Sequence, residues 1–179
     1  QNLPVRMESL VPQDMATTVR NTFVLMAENK GIDIDLDLAP EAWRSRVSDR
    51  VRLMQALSNL VKNALHALAS ASNAPSPGDL RLDVGVHHGK GRIAVSDDGI
   101  GIAHEQQDQV FNPYAQESAS TARRFGGTGL GLSISRHLIE LMGGHIGFTS
   151  EPGLGSRFYF TLPCRRETLP EPRPSSGPP

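Results

Sequence analysis

The sequence predicts an α+β domain: a two-layer α/β sandwich in which a mixed, mostly antiparallel sheet packs under helices. Three stretches carry that prediction. Leu80, Leu82, Val84 and Val86 alternate along the chain, and after His88-Gly89-Lys90-Gly91 the alternation resumes at Ile93 and Val95, the pattern of a β-hairpin. From Arg50 to Ser70 the apolar positions Leu53, Leu57, Leu60, Val61, Ala64, Leu65 and Leu68 fall on one stripe of a helix. Ile32, Ile34, Leu36 and Leu38 alternate with Asp33, Asp35 and Asp37, which marks a strand with one buried face. Helices mixed with hairpin-connected strands favour helices gathered on one face of a sheet.

The remaining elements follow in order. Leu3 to Leu10 fits a short lead-in strand. After Pro12, Met15, Val19, Phe23, Met26 and Ala27 keep helical spacing, and Gly31 ends that helix. Trp43 to Val47 fits another short strand. Residues 71–78 are rich in Ser, Pro, Asn and Gly and read as a loop. Asp97-Asp98-Gly99-Ile100-Gly101 closes the hairpin's second strand, and a short helix is expected from Glu105 to Val110. Asn112 to Phe125 shows no hydrophobic period; such a stretch inside a domain is usually functional or disordered. A helix then carries Leu130, Ile134, Leu138, Leu141 and Met142, and stops at Gly143-Gly144. Ile146 and Phe148 mark a strand, Gly153-Leu154-Gly155 a turn, and Phe158, Phe160 and Leu162 a last strand. After Pro163 the composition turns to Pro, Glu, Arg and Ser, too polar to bury itself. The expected division is a domain over 1–163 and a linker or disordered tail over 164–179.

Bulk properties narrow the function. At 179 residues the chain holds one domain with a core; it is 38% hydrophobic and 21% charged, an ordinary globular composition. A net charge of −1 argues against broad electrostatic affinity for nucleic acid or an acidic membrane surface. A lone cysteine, Cys164, makes no internal disulfide. No apolar run reaches the length of a membrane span and no signal peptide opens the chain. The first residue is Gln1, so a fragment of a longer protein is expected.

Three stretches carry chemistry. In Arg124-Phe125-Gly126-Gly127-Thr128-Gly129-Leu130-Gly131-Leu132, four glycines lie within six residues and open a helix. Glycine lets backbone approach a ligand closely, and a helix start offers unpaired N–H groups to an anion. A flexible loop before a capped helix is the plainer alternative. Gln55, Asn59, Asn63 and His66 share one face of the 50–70 helix. Their carboxamides either bridge neighbouring backbone or supply oxygens to a hard cation such as magnesium. Asp97-x-Gly99-x-Gly101 follows a buried strand directly. It reads as an ordinary turn, or as a carboxylate for an exocyclic amine with glycines passing a flat ring.

Together, in this order, the stretches resemble the ATP-binding domain of sensor histidine kinases, of the family that also holds gyrase, Hsp90 and MutL. Asn59-Leu60-Val61-Lys62-Asn63-Ala64 resembles the N box, Asp97 to Gly101 the first glycine box, Phe111 to Tyr114 the F box, and Gly127 to Leu132 the second glycine box. Leu141 to Ile146 and Gly155 to Phe158 are also similar to the kinases. The resemblance implies a Bergerat-type fold, ATP and Mg2+ as cofactors, and a nucleotide site built from Asn59, Asn63, His66, Asp97, Gly99, Gly101, Ile102, Phe111, Gly127, Thr128, Gly129, Leu130, Gly131 and Leu132. Within it, Asp97 would bond the adenine amino group. Asn63 with Asn59 would be the catalytic and metal-holding pair. Gly127, Gly129 and Gly131 would receive phosphates. Asn112 to Phe125 would form the ATP lid, with Arg123 or Arg124 either reaching the γ-phosphate or remaining a solvated charge.

Two departures stand out. Many relatives carry Lys or Arg where this chain has His66. The phosphoacceptor helix, a His followed by an acid and a basic residue, is absent, and His104-Glu105 mimics only its first two residues. The implied function is the catalytic domain of a bacterial two-component sensor kinase, cytoplasmic, without direct membrane or nucleic-acid contact. It would present the γ-phosphate to a histidine on a separate dimerisation domain, for passage to a response-regulator receiver domain. A gyrase- or Hsp90-type ATPase is a second reading, but Asn59 stands where those enzymes carry a water-activating Glu. A pseudo-kinase regulatory module is the third.

Overall fold

In chain order the elements are β1 (Glu8–Leu10), α1 (Pro12–Asn29), β2 (Asp33–Leu38), β3 (Arg44–Val47), α2 (Arg50–Ser70), β4 (Asp79–His87), β5 (Lys90–Asp97), α3 (His104–Gln107), α4 (Gly131–Leu141), β6 (His145–Glu151) and β7 (Gly155–Arg165). These come from a computed structural model that describes residues 8–38, 44–47, 50–70, 78–88, 90–112 and 131–165. Of the expected lid, Asn112 to Phe125, all but Asn112 lies outside the described residues, as do Gly127 to Leu130; of the tail expected over 164–179, Cys164 and Arg165 belong instead to β7, and the rest lies outside the described residues.

One sheet runs β1-β3-β7-β5-β4-β2, and β6 joins β7. β2 and β4 are parallel; every other pair is antiparallel, as the sequence led one to expect of a mixed sheet. β7 is the spine. Along one edge it pairs with β5 from Lys90↔Pro163 to Asp97↔Ser156. Along the other it is shared: β6 takes Gly155 to Thr161, and β3 takes Cys164 and Arg165. This sharing makes β7 longer at both ends than its apolar residues suggested.

The core lies between the sheet and helices α1, α2 and α4. Met15, Val19 and Phe23 of α1, Leu53, Leu57, Leu60 and Val61 of α2, and Ile139 of α4 meet Leu80, Leu82, Ile93, Val95, Phe158 and Phe160 of the sheet. Each large apolar side chain so buried contributes about 1.5–3 kcal/mol. Pro12 starts α1 at a position where its missing N–H costs nothing. Gly31 ends it at φ +68°, a left-handed conformation that glycine adopts freely. α2 occupies the span its apolar stripe predicted.

Three local expectations shift. The alternation of β2 buries Ile34, leaves Leu36 half-buried and Leu38 exposed, because β2 is an edge strand paired only with β4. β5 begins at Lys90, so His87 pairs with Lys90 and the expected turn over His88 to Gly91 gives up its last two residues to the strand, with His88 at φ +50°. The helix expected from Glu105 to Val110 is one turn at His104–Gln107, followed by turns to Phe111. The Gln107 side chain donates to the Ile102 and Ser150 carbonyls at 3.0 and 3.2 Å and holds that turn against the sheet.

Candidate functional site

The asparagine face of α2 passes gradually from solvent into protein. Gln55 is exposed, Asn59 is half-buried, Asn63 is 7% exposed, and His66 is half-buried again. Asn63 borders a narrow crevice with Ala67, Ile100, Gly101, Ile102, Gln106 and Ser156. Its Oδ1 is enclosed and accepts no hydrogen bond. Burial lowers the His66 pKa below its usual value, and the Lys30 charge adds to the lowering.

Asp97 ends β5 at 8% exposure, opposite Ser156. Its Oδ1 accepts the Gly99 amide at 3.0 Å, while its Oδ2 is enclosed without a donor. Burial pushes the carboxyl up to about 6; the Gly99 and Ser156 backbone groups pull it back, and the Asp98 charge adds a smaller rise. Asp98 points away and accepts the Asp79 amide at 2.9 Å. A buried acceptor left without a partner costs about 1–3 kcal/mol. Two such acceptors, one amide and one carboxylate, both lie beside Ser156.

The two loop glycines have roles inside the protein. A Cβ on Gly99 would lie 2.8 Å from the Ala67 carbonyl, so only glycine lets this loop press against α2. Gly101 has φ +69°, and a Cβ there would collide with the Glu151 backbone. The loop is pinned to the β6–β7 turn from several sides. Gly153 N–H donates to Ile100 O at 2.7 Å, and Ile102 N–H to Ser150 Oγ at 2.8 Å. Ser150 Oγ also lies 2.8 Å from Ser156 Oγ. Ser150, Ser156 and Gln107 are thus structural partners of the site that spacing could not reveal, because their bonds span up to 48 residues of chain.

The other expected residues divide. Ile102 and Leu132 place their side chains in the core. Phe111 packs edge-on against Phe148 and Phe158, with ring centroids 5.7 and 6.3 Å away. Gly131, the last glycine of the second glycine box, opens α4 beside Asn59, whose Nδ2 donates to Gly131 O at 3.5 Å. Gly127, Thr128, Gly129 and Leu130 lie outside the described residues.

Among the described residues no three His, Cys, Asp or Glu side chains form a metal-binding group. A cation here would be held by amide oxygen and by a ligand's own oxygens. The free Asn63 Oδ1 suits a hard divalent ion, which takes oxygen donors. No helix among the described residues is long and apolar enough to cross a membrane.

Comparison with known proteins identifies the family and the fold. A family model described as histidine kinase-, DNA gyrase B- and HSP90-like ATPase matches residues 48–166. The chain is 34% identical over 164 residues to the autoinducer 2 sensor kinase/phosphatase LuxQ of Vibrio parahaemolyticus, covering 91% of this chain and 19% of that protein. It is 33% identical over 150 residues to the alginate biosynthesis sensor protein KinB of Pseudomonas aeruginosa, covering 84% of this chain and 23% of that one. The chain therefore spans about a fifth of the length of these curated relatives. The catalytic domain of histidine kinase ThkA superposes with a TM-score of 0.73 at 28% identity, covering 88% of this chain and 95% of that one. Full-length ShkA, solved in complex with AMPPNP, gives 0.77 at 26% identity, covering 94% of this chain and 33% of that one.

Proposed function

The chain belongs to the histidine kinase-, DNA gyrase B- and HSP90-like ATPase family, with the fold of a histidine kinase catalytic domain, and from that premise we propose that it binds Mg-ATP and presents the γ-phosphate to a histidine on a separate dimerisation domain. The observation that carries this reading is the pair of enclosed, unpartnered acceptors, Asn63 Oδ1 and Asp97 Oδ2. Each is held by rigid structure and each lacks what the ligand brings.

In this reading Asp97 Oδ2 accepts the adenine amino group. Its Oδ1 is already held by Gly99, so the carboxylate is oriented before the base arrives. Asn63 Oδ1, with Asn59, holds Mg2+ against the phosphates; when bound, the ion neutralises charge on the phosphate oxygens. The second glycine box receives the phosphates through backbone N–H groups at the start of α4. An imidazole nitrogen of the acceptor attacks the γ-phosphorus, the bond to the bridging oxygen breaks, and ADP leaves. The chain's own part is positioning and electrostatics, which suffice for phosphoryl transfer.

Asn59 argues for transfer over hydrolysis. A carboxamide cannot take a proton from water as a carboxylate would, and its nitrogen is turned toward α4. The phosphoryl group would pass on to an Asp of a receiver domain, and the domain would work on the cytoplasmic side. The catalytic unit expected to end at residue 163 takes in Cys164 and Arg165 as well, since both pair with β3. Calorimetric titration of the 179-residue chain with ATP, with and without magnesium, tests the reading. Tighter binding with magnesium supports it, and no binding under either condition overturns it.

A further inference from the structure

Ser135 occupies an unexpected place. It lies on the buried stripe of α4 with Leu132, Leu138 and Ile139, and it is fully enclosed. A hydroxyl in such a stripe is unfavourable unless bonded. Its Oγ donates to Gly131 O one turn back at 2.9 Å, and also lies 3.5 Å from Ala56 O on α2. With its one hydrogen so used, Oγ offers only lone pairs to Asn59, whose Nδ2 approaches at 3.4 Å. The same Nδ2 reaches Gly131 O at 3.5 Å. Both neighbours of Nδ2 are acceptors, so they fix which way the carboxamide faces: nitrogen toward α4, oxygen away from it.

We propose that Ser135 is a positioning residue: it holds Asn59 with its carbonyl oxygen turned to the metal–phosphate group and ties the first turn of α4 to the asparagine helix. This rests on the Mg-ATP reading given above. The geometry explains why a serine is placed here. An alanine would fit the stripe but would leave Gly131 O as the one remaining acceptor of this pair on Asn59 Nδ2, a weaker hold on which way the carboxamide faces. Gly131 O, Ser135 Oγ and Asn59 Nδ2 form one cluster. The helix that follows the phosphate loop and the helix that carries the metal ligands are thereby held in fixed relation.

The test is a double-mutant cycle on the 179-residue chain, with Ser135→Ala, Asn59→Ala and the double variant. Binding of a non-hydrolysable ATP analogue is measured with magnesium and with a chelator. Ser135→Ala removes the acceptor without adding volume, and alanine favours the helix. The expected result is a fall of about fivefold in affinity with magnesium and none with chelator, the scale of one lost hydrogen bond. In the Asn59→Ala background the Ser135 substitution then has no further effect, because its role acts through Asn59. A merely structural serine would give equal losses in both conditions and in both backgrounds, and that result overturns the proposal. Unchanged affinity in a folded Ser135→Ala chain overturns it as well. If the unaltered chain binds no nucleotide, the Mg-ATP reading itself fails, which is a separate and distinguishable outcome.

Discussion

The Asp97 carboxylate is divided between two duties: Oδ1 is held by the Gly99 amide at 3.0 Å, and Oδ2 is enclosed with no donor. The first bond fixes the plane of the second oxygen, which in the proposed reading would meet the adenine amino group. Replacing Asp97 with Asn keeps the shape and removes the charge. Affinity for ATP is expected to fall about 10- to 100-fold, the loss of one charge-assisted bond, with the fold retained. Calorimetry with circular dichroism checks both points; undiminished affinity in a folded variant would take Asp97 out of the base site.

The same burial makes a prediction about pH. The Asp97 carboxyl is raised from an ordinary 3.8 to about 6. A group whose pKa is higher in the folded state favours folding below its unfolded value, and that contribution is lost as pH rises through the folded value. Between pH 4 and 7 Asp97 therefore works against the nucleotide-free fold by an amount on the order of 2–3 kcal/mol. His66, with its pKa lowered by burial, acts in the opposite sense: its contribution is present above its ordinary value and is lost as pH falls through the lowered one. Urea unfolding of the Asp97→Asn chain isolates the first effect. The variant should gain stability over the parent as pH rises from 4.5 to 7; a constant difference across that range counts against the burial described.

Asn63→Ala should remove the benefit of magnesium for nucleotide affinity and leave magnesium-free binding nearly intact. The enclosed Oδ1 has no protein donor, so in the proposed reading it is the atom that a cation would meet. Titrations with ATP in magnesium and in chelator separate the cases. Equal loss in both would mean that Asn63 serves the nucleotide directly.

Gly101→Ala should destabilise the chain without any nucleotide present. The residue sits at φ +69°, and its missing Cβ is what lets the Glu151 backbone pass. Strain of this kind costs about 1–3 kcal/mol, more where backbone must also shift. Thermal unfolding of the nucleotide-free chain measures it. A variant as stable as the parent would mean that the glycine serves only the bound base.

The isolated chain should take up no acid-labile phosphate from ATP, since it lacks an acceptor His followed by an acid and a basic residue in a long helix. His104 begins a single turn, not such a helix. Radiolabel on the isolated chain after incubation with labelled ATP would overturn this.

What the sequence made legible was periodic. The stripe from Leu53 to Leu68 located α2, and the alternation on both sides of His88 located the central hairpin. Period reports which face is buried, but not which strand lies alongside. The parallel pairing of β2 with β4 and the division of one β7 edge between β6 and β3 were therefore out of reach. The site divided in the same way. Asn63 and Asp97 were conspicuous as polar groups in apolar surroundings. Ser150 and Ser156 were not, because isolated serines in strands look like surface positions until their partners are known. Gly99 and Gly101 were read either as an ordinary turn or as clearance for a ring; within the protein their nearest neighbours are Ala67 and Glu151, which spacing could not show.

The parallel pairing of β2 with β4 also bears on the order in which the chain assembles. Residues 39–78, with the whole of α2, intervene between strands that end side by side. Closing so long a connection is entropically slow, while the β4–β5 hairpin closes across two residues. In refolding, the amides of Leu80 to Val95 should acquire protection first, and those of Asp33 to Leu38 last. The helix that carries Asn59 and Asn63 is then seated against the young sheet before its edge strand arrives, and β2 closes over a connection that already holds the site.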